Sequence, residues 1–212
     1  MCRLLAVRDV EAFPVPDQLR ALAAIARESK EFQGDGWGCS WWDGEAWKAY
    51  RSITPIWEDR LDQFGPTRVL VAHARSAFRN EGIAVENNMP FVDGDVAFAF
   101  NGELRGVRFT APGRIGAEKL FNVIRRFGGD ADTAALERAV RVVTRRTGYI
   151  RAMNFVVANR DTIRIGSRFS EDPDYFTMYQ KEAGTRRTVC SAPFAAESGW
   201  TPIANGDLLE WS

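Results

Sequence analysis

Cys2, Arg75 and the pair Asn101-Gly102 are the residues whose types could carry out acyl transfer. A thiolate is a strong nucleophile if it forms near neutral pH. Removal of Met1 is generally possible before a residue as small as cysteine, and it would leave a free α-amino group on the residue that bears the thiol. Such an amine has an ordinary pKa of about 7.7–8.0, well placed for a general base. One residue would then supply both nucleophile and base. Arg75, just past an apolar run, can clamp a carboxylate with two parallel hydrogen bonds, and Ser76 beside it is placed in the same substrate-binding group. Asn101 and Gly102, following another apolar run, can aim a side-chain amide and a backbone N–H at one point, as an oxyanion hole requires. Each has a plainer reading. Cys2 can be a small residue in a first strand, Arg75 a surface ion-pair residue, and Asn101-Gly102 an ordinary hairpin turn.

The elements that must position these groups can be read from hydrophobic periodicity. Residues 2–8 read as a short apolar strand. A helix follows over about 17–30, with Leu19, Leu22, Ala23 and Ala26 on one face and Asp17 as its cap. Residues 34–38 form a turn into a strand, and 41–47 a hairpin with Asp43-Gly44 as a two-residue turn. Residues 67–77 read as a buried strand running into a loop, and 95–104 as a strand ending in a sharp Asn-Gly turn. Helices are expected over 116–127, and over 132–146 with Leu136, Ala139, Val140 and Val143 inward, stopped by Gly148. Strands are expected at 149–158, 161–168, 174–180, 186–191 and 206–211, with a turn at Asn159-Arg160-Asp161. Grouped helices and antiparallel-compatible strands favour α+β over a βαβ repeat.

Composition excludes several other classes. Lys+Arg and Asp+Glu balance at 28 each, so the basic footprint of a nucleic-acid binder is missing. Hydrophobic residues at 45% argue against disorder. The first ten residues, interrupted by Arg3, Arg8 and Asp9, do not read as a signal peptide. No apolar run reaches the roughly 18 residues of a membrane span. Cys2, Cys39 and Cys190 form an odd set without disulfide or zinc spacing, which points to free thiols and a cytoplasmic protein. His73 is the one histidine, too few for a multi-histidine metal site and without a serine-hydrolase elbow, so it is expected to be structural. Cys39 and Cys190 are expected in the core. The seven tryptophans are expected mostly in packing, with one or two lining the pocket. No cofactor or metal is indicated.

Five motifs in register resemble the class II glutamine amidotransferases, a branch of the N-terminal-nucleophile hydrolases, and most closely their stand-alone members. They are Met1-Cys2-Arg3-Leu4-Leu5, Asp35-Gly36-Trp37-Gly38, His73-Ala74-Arg75, Glu86-Asn87 to Pro90-Phe91, and Asn101-Gly102. The segments 154–159, 189–194 and 200–208 follow the family's course as well. The resemblance covers nearly the whole chain and implies one domain over 1–212, folded as an αββα four-layer sandwich with two antiparallel sheets. It further implies that Cys2 attacks a γ-carboxamide to give a γ-glutamyl thioester, which water then cleaves. Asn101 and Gly102 would stabilise the oxyanion, Arg75 would hold the substrate α-carboxylate, and the Cys2 amine would shuttle the proton.

Two departures bear on the substrate. The family usually carries an aspartate that binds the substrate α-ammonium, in a stretch that corresponds here to Ile115-Gly116-Ala117-Glu118, so Gly116 takes its place. A missing charge-assisted contact costs about 1.5–3 kcal/mol, roughly ten- to hundredfold in affinity. Glu118 or Glu103 is the candidate substitute. Met89 also stands where a histidine is common. The natural substrate is therefore expected to lack a free α-ammonium or to be a larger γ-glutamyl or related amide. Three functions remain open at this point: an amide hydrolase, a glutaminase subunit that supplies ammonia to a separate synthase, and a non-catalytic ligand-binding relative. The expected partner is a small-molecule amide, with a homo-oligomer left open and no nucleic acid or membrane.

Overall fold

The computed structural model describes residues 1–77, 81–195 and 197–212. In chain order the elements are β1 (Arg3–Phe13), α1 (Val15–Arg27), β2 (Trp37–Trp42), β3 (Trp47–Ser52), β4 (Thr67–Ala74), β5 (Phe91–Asp93), β6 (Val96–Val107), α2 (Gly116–Arg126), α3 (Thr133–Arg145), β7 (Thr147–Ala158), β8 (Ile163–Gly166), α4 (Pro173–Phe176), β9 (Tyr179–Ala183), β10 (Arg186–Cys190), β11 (Thr201–Pro202) and β12 (Leu208–Trp211). They make two antiparallel sheets. One has seven strands in the order β11-β9-β10-β1-β4-β2-β3, and the other five in the order β12-β8-β7-β6-β5.

Three apolar layers follow from strand alternation, since successive side chains leave a strand on opposite faces. From the seven-stranded sheet, Leu5, Val7, Leu70 and Ala72 pack against Leu19, Leu22 and Ala26 of α1. From the five-stranded sheet, Phe98, Phe155 and Val157 pack against Leu120, Phe121 and Ile124 of α2 and Leu136, Ala139 and Val143 of α3. The alternate residues Leu4, Ala6, Val69, Val71, Ala97, Ala99 and Val156 meet between the sheets. The architecture is thus αββα, as expected.

Local differences have local causes. β1 runs on to Phe13, well beyond residue 8, because β4 pairs with it again at Phe13 opposite Thr67 after a register shift, whereas β10 follows it only to Arg8. Pro14 rather than Asp17 caps α1; Asp17 lies in the first turn and binds Arg20 at 2.9 Å. The β2–β3 connection takes four residues instead of two, with Asp43 Oδ1 accepting the N–H groups of Glu45 and Ala46. Gly148 lies inside β7, since α3 ends at Arg145 and the strand begins at Thr147. Residues 173–176 form a helical turn where the strand 174–180 was expected. The Asn159 turn is as expected, with its Oδ1 accepting from Asp161 and Thr162 N–H.

The most informative difference concerns Asn101-Gly102. No turn forms there. β6 continues through both residues, with Asn101 opposite Asn154 and Gly102 opposite Met153, and the register shifts only after Glu103. An Asn-Gly pair can turn a chain, but the ladder to β7 on either side holds this one extended.

Candidate active site

The end of the layer between the sheets turns from apolar to polar. Continuing the alternation past Leu4, Val71 and Ala99 brings Cys2, then His73 and Arg75, then Asn101 to that layer. Arg3 opposite Ala74 and Leu4 opposite His73 fix the start of β1 against the end of β4. A cleft of about 640 Å³ opens there, lined by Cys2, Arg75, Ser76, Gly102, Glu103 and Gly116 among others. That volume lies within the range of about 300–1,000 Å³ typical of small-molecule sites.

Cys2 Sγ lies against the backbone of Ser76, accepting its N–H at 3.5 Å with the Ser76 carbonyl at 3.6 Å. Burial pushes the thiol up from its ordinary value, while the chain's terminal ammonium, the Ser76 amide and Arg75 pull it down. The Ser76 segment is held in turn by Asp35. Its Oδ2 accepts the N–H of Ala77 at 2.6 Å, and Arg75 N–H donates to the Gly36 carbonyl at 2.8 Å.

Arg75 is buried but only loosely engaged. Nη1 reaches Asn88 Oδ1 at 3.5 Å and Nη2 the Glu81 carbonyl at 3.4 Å. Among the described residues it has no carboxylate within ion-pair distance. Burial lowers its pKa, whereas Cys2 and Asp35 raise it. A buried guanidinium with unfilled donors is a ready site for an incoming carboxylate. The 86–91 loop explains the posture of Arg75, because Asn88 is itself fixed by donating to the Ser52 carbonyl at 2.7 Å.

Not every expected site residue reaches the cleft. Gly102 does, and a Cβ there would meet the Ala152 carbonyl oxygen at 2.1 Å, so only glycine fits. Asn101 is 1% exposed, sits behind the cleft wall, and keeps an unpartnered buried Oδ1. Gly116 lines the cleft at the start of α2, with nothing within 4 Å of a Cβ built on it. Glu118 faces another depression and is held by Arg114, through backbone N–H at 2.6 Å and guanidinium contacts at 3.0 and 2.8 Å. The idea that Glu118 stands in for the missing aspartate is therefore corrected. Arg114, just before α2, captures it, whereas Glu103 does reach the cleft. None of the seven tryptophans lines the cleft, so the expected pocket tryptophan is also corrected. Trp37 instead donates to Asp59 and packs on Tyr50 and Phe64 in the α1 layer. Cys39 and Cys190 are fully buried, and burial pushes Cys190 up to about 11. His73 is fully buried and pushed down to about 3, by desolvation first and by Arg75 next.

A polar cluster around the first residue has no counterpart in the sequence reading. Gln33 Nε2 donates to the Met1 carbonyl at 2.5 Å and Tyr175 OH at 2.7 Å, while the Met1 ammonium pairs with Glu31. Arg151 holds Glu31 from the other side at 3.1 Å. These residues come from four separate segments, so no local pattern could have grouped them.

No family model matches the chain. A curated relative, γ-glutamyl-hercynylcysteine sulfoxide hydrolase of Mycobacterium tuberculosis, is 27% identical over 211 residues, covering 92% of this chain and 83% of its own. Among solved structures, a glutamine aminotransferase class-II domain protein from Silicibacter pomeroyi superposes with a TM-score of 0.68 at 18% identity, covering 99% of this chain and 94% of that one. The glutamine phosphoribosylpyrophosphate amidotransferase of B. subtilis superposes with a TM-score of 0.62 at 18% identity, over 90% of this chain but 42% of the longer neighbour. The fold is that seen in these class II glutamine amidotransferase structures. A curated hydrolase among its relatives supports an enzyme of the amidohydrolase type.

Proposed function

We propose that this protein, as one domain over residues 1–212, hydrolyses the side-chain amide of a glutamine-like or γ-glutamyl compound, with Cys2 as nucleophile. The observation that carries the reading is Cys2 Sγ at the head of the cleft, 3.5 Å from the Ser76 N–H and beside the loosely held Arg75. Loss of Met1 would expose the Cys2 amine next to Gln33 and Tyr175. That amine takes the thiol proton as sulfur bonds to the amide carbon. The tetrahedral oxyanion is received by the Gly102 N–H and the Asn101 amide. Its collapse breaks the C–N bond, and the proton passes from the α-ammonium to the leaving nitrogen. Water then adds to the thioester, the amine accepts its proton, the C–S bond breaks and the thiol re-forms. Arg75 holds a carboxylate of the acyl chain throughout. The mycobacterial relative, named as a hydrolase of a γ-glutamyl compound, supports the γ-glutamyl reading.

A second reading has the chain as a glutaminase subunit that passes ammonia to a separate synthase. The B. subtilis neighbour favours it, because there the matching region is part of a longer amidotransferase. Ammonia release that rises sharply only on adding a partner protein would select this reading.

Intact-mass measurement tests the nucleophile. The mature chain should lack Met1 and gain one adduct from 6-diazo-5-oxo-norleucine, and Cys2→Ala should remove both adduct and turnover while leaving the fold unchanged by circular dichroism. A chain that retains Met1 and stays unlabelled is a non-catalytic binding relative.

A further inference from the structure

We infer that the cleft selects amides whose acyl chain bears a carboxylate but no free ammonium, with an uncharged apolar substituent, such as an N-acyl group, lying beside Gly116. The inference rests on Cys2 as nucleophile and narrows the glutamine-like reading to Nα-blocked compounds, setting unmodified γ-glutamyl substrates aside.

The charges of the cleft carry the argument. Among the described residues its cations are Arg75 and Lys119. Of its acids, Glu103 is already engaged, with Arg105 at 2.6 and 3.1 Å and Arg151 at 3.9 Å. Glu81 lies exposed at the rim. Glu118, two residues along α2 from Gly116, is tied to Arg114 outside the cleft. A ligand ammonium in the cleft would meet no free carboxylate among the described lining residues other than Glu81 at the exposed rim, so the water it gives up deeper in is not replaced by an ion pair. Two cations in the same space add repulsion. A ligand carboxylate, by contrast, meets the unfilled donors of Arg75.

The walls supply the second half. Met89, Phe100, Leu104, Val107, Phe109 and Ile115 line the same cleft. Gly116 is exposed at the edge of the cleft, with free space where a side chain would project. A site of about 640 Å³ walled this way gains from burying apolar area, at roughly 25 cal/mol per Å².

The test compares L-glutamine with Nα-acetyl- and Nα-hexanoyl-L-glutamine by ammonia release. In parallel, 6-diazo-5-oxo-L-norleucine and its Nα-hexanoyl derivative are compared by the rate of Cys2 labelling. The expected result is at least tenfold higher kcat/KM and labelling rate for the hexanoyl compounds than for the free amino acids. Gly116→Asp should shift that ratio toward free glutamine by about ten- to hundredfold; the position has room for the side chain. Equal or faster reaction of the free amino acids, or a Gly116→Asp ratio that does not move, overturns the inference while leaving the nucleophile standing. Labelling of Cys2 by neither probe overturns the nucleophile and the inference together.

Discussion

The backbone N–H of Ser76 points at Cys2 Sγ from 3.5 Å, and the neighbouring Ala77 N–H is clamped by Asp35 Oδ2 at 2.6 Å. The first contact can favour a thiolate only while the second holds the 75–77 segment in place. The sulfur therefore depends on a carboxylate from the turn before β2, which does not itself line the cleft.

Asp35→Ala should release this segment. A hydrogen bond to a charged group contributes about 1.5–3 kcal/mol, so kcat should fall about ten- to hundredfold. The Ser76 amide lowers the Cys2 pKa, so its loss should move the pH profile of Cys2 alkylation to higher pH. Asp35→Asn, which keeps an acceptor oxygen, should restore part of both. An unshifted alkylation profile in Asp35→Ala would show that the clamp is only structural.

Asn101→Ala probes the proposed oxyanion hole. Loss of one such donor typically costs about 2.7–4 kcal/mol of barrier, roughly 10²–10³ in kcat. Asn101 is buried behind the wall with an unpartnered Oδ1, so its amide must come to bear on the oxyanion from beneath. Near-full kcat in the variant would leave the hole to Gly102 and other backbone donors.

Gly102→Ala should fail for steric reasons before chemistry is reached. The added methyl would meet the Ala152 carbonyl oxygen at 2.1 Å and the Phe100 ring at 2.7 Å. Backbone and ring must both shift, and overpacking of this kind costs about 1–3 kcal/mol. Thermal unfolding should show a clear drop in midpoint, whereas Gly116→Ala, with open space around it, should show little change.

His73 governs an acid sensitivity. Its folded pKa, about 3, lies below the ordinary 6.5, so the folded state favours the neutral ring. That contribution is fully present above about pH 6.5 and is lost as pH falls toward 3, at up to about 1.4 kcal/mol per pH unit. Urea unfolding at pH 7, 6, 5 and 4 should show a steeper loss for the wild type than for His73→Leu. Equal slopes would mean that the buried ring does not contribute to the pH dependence.

Much of the candidate site was legible because its residues lie at the ends of strongly apolar strands. The alternation in 67–74 and 96–101 sets one face of each strand, and Arg75 and Asn101 simply continue it. Glu118 misled because sequence spacing cannot say which partner captures a carboxylate; Arg114 sits four residues away and takes it. Asn101-Gly102 misled in shape, since turn chemistry is a local preference and the pairing with β7 is not local. The clamp by Asp35 and the cluster of Gln33, Tyr175, Glu31 and Arg151 around the first residue were out of reach, because they join segments up to 174 positions apart.

By itself the sequence determined the chemical types available, the α+β alternation that layers them, and the absence of a carboxylate at position 116. Tertiary structure alone decided which of those groups share one cleft, which are neutralised by neighbours, and which are walled off. The physical reason is that periodicity fixes the face a side chain leaves from, whereas reach and charge pairing depend on the strands and helices packed opposite.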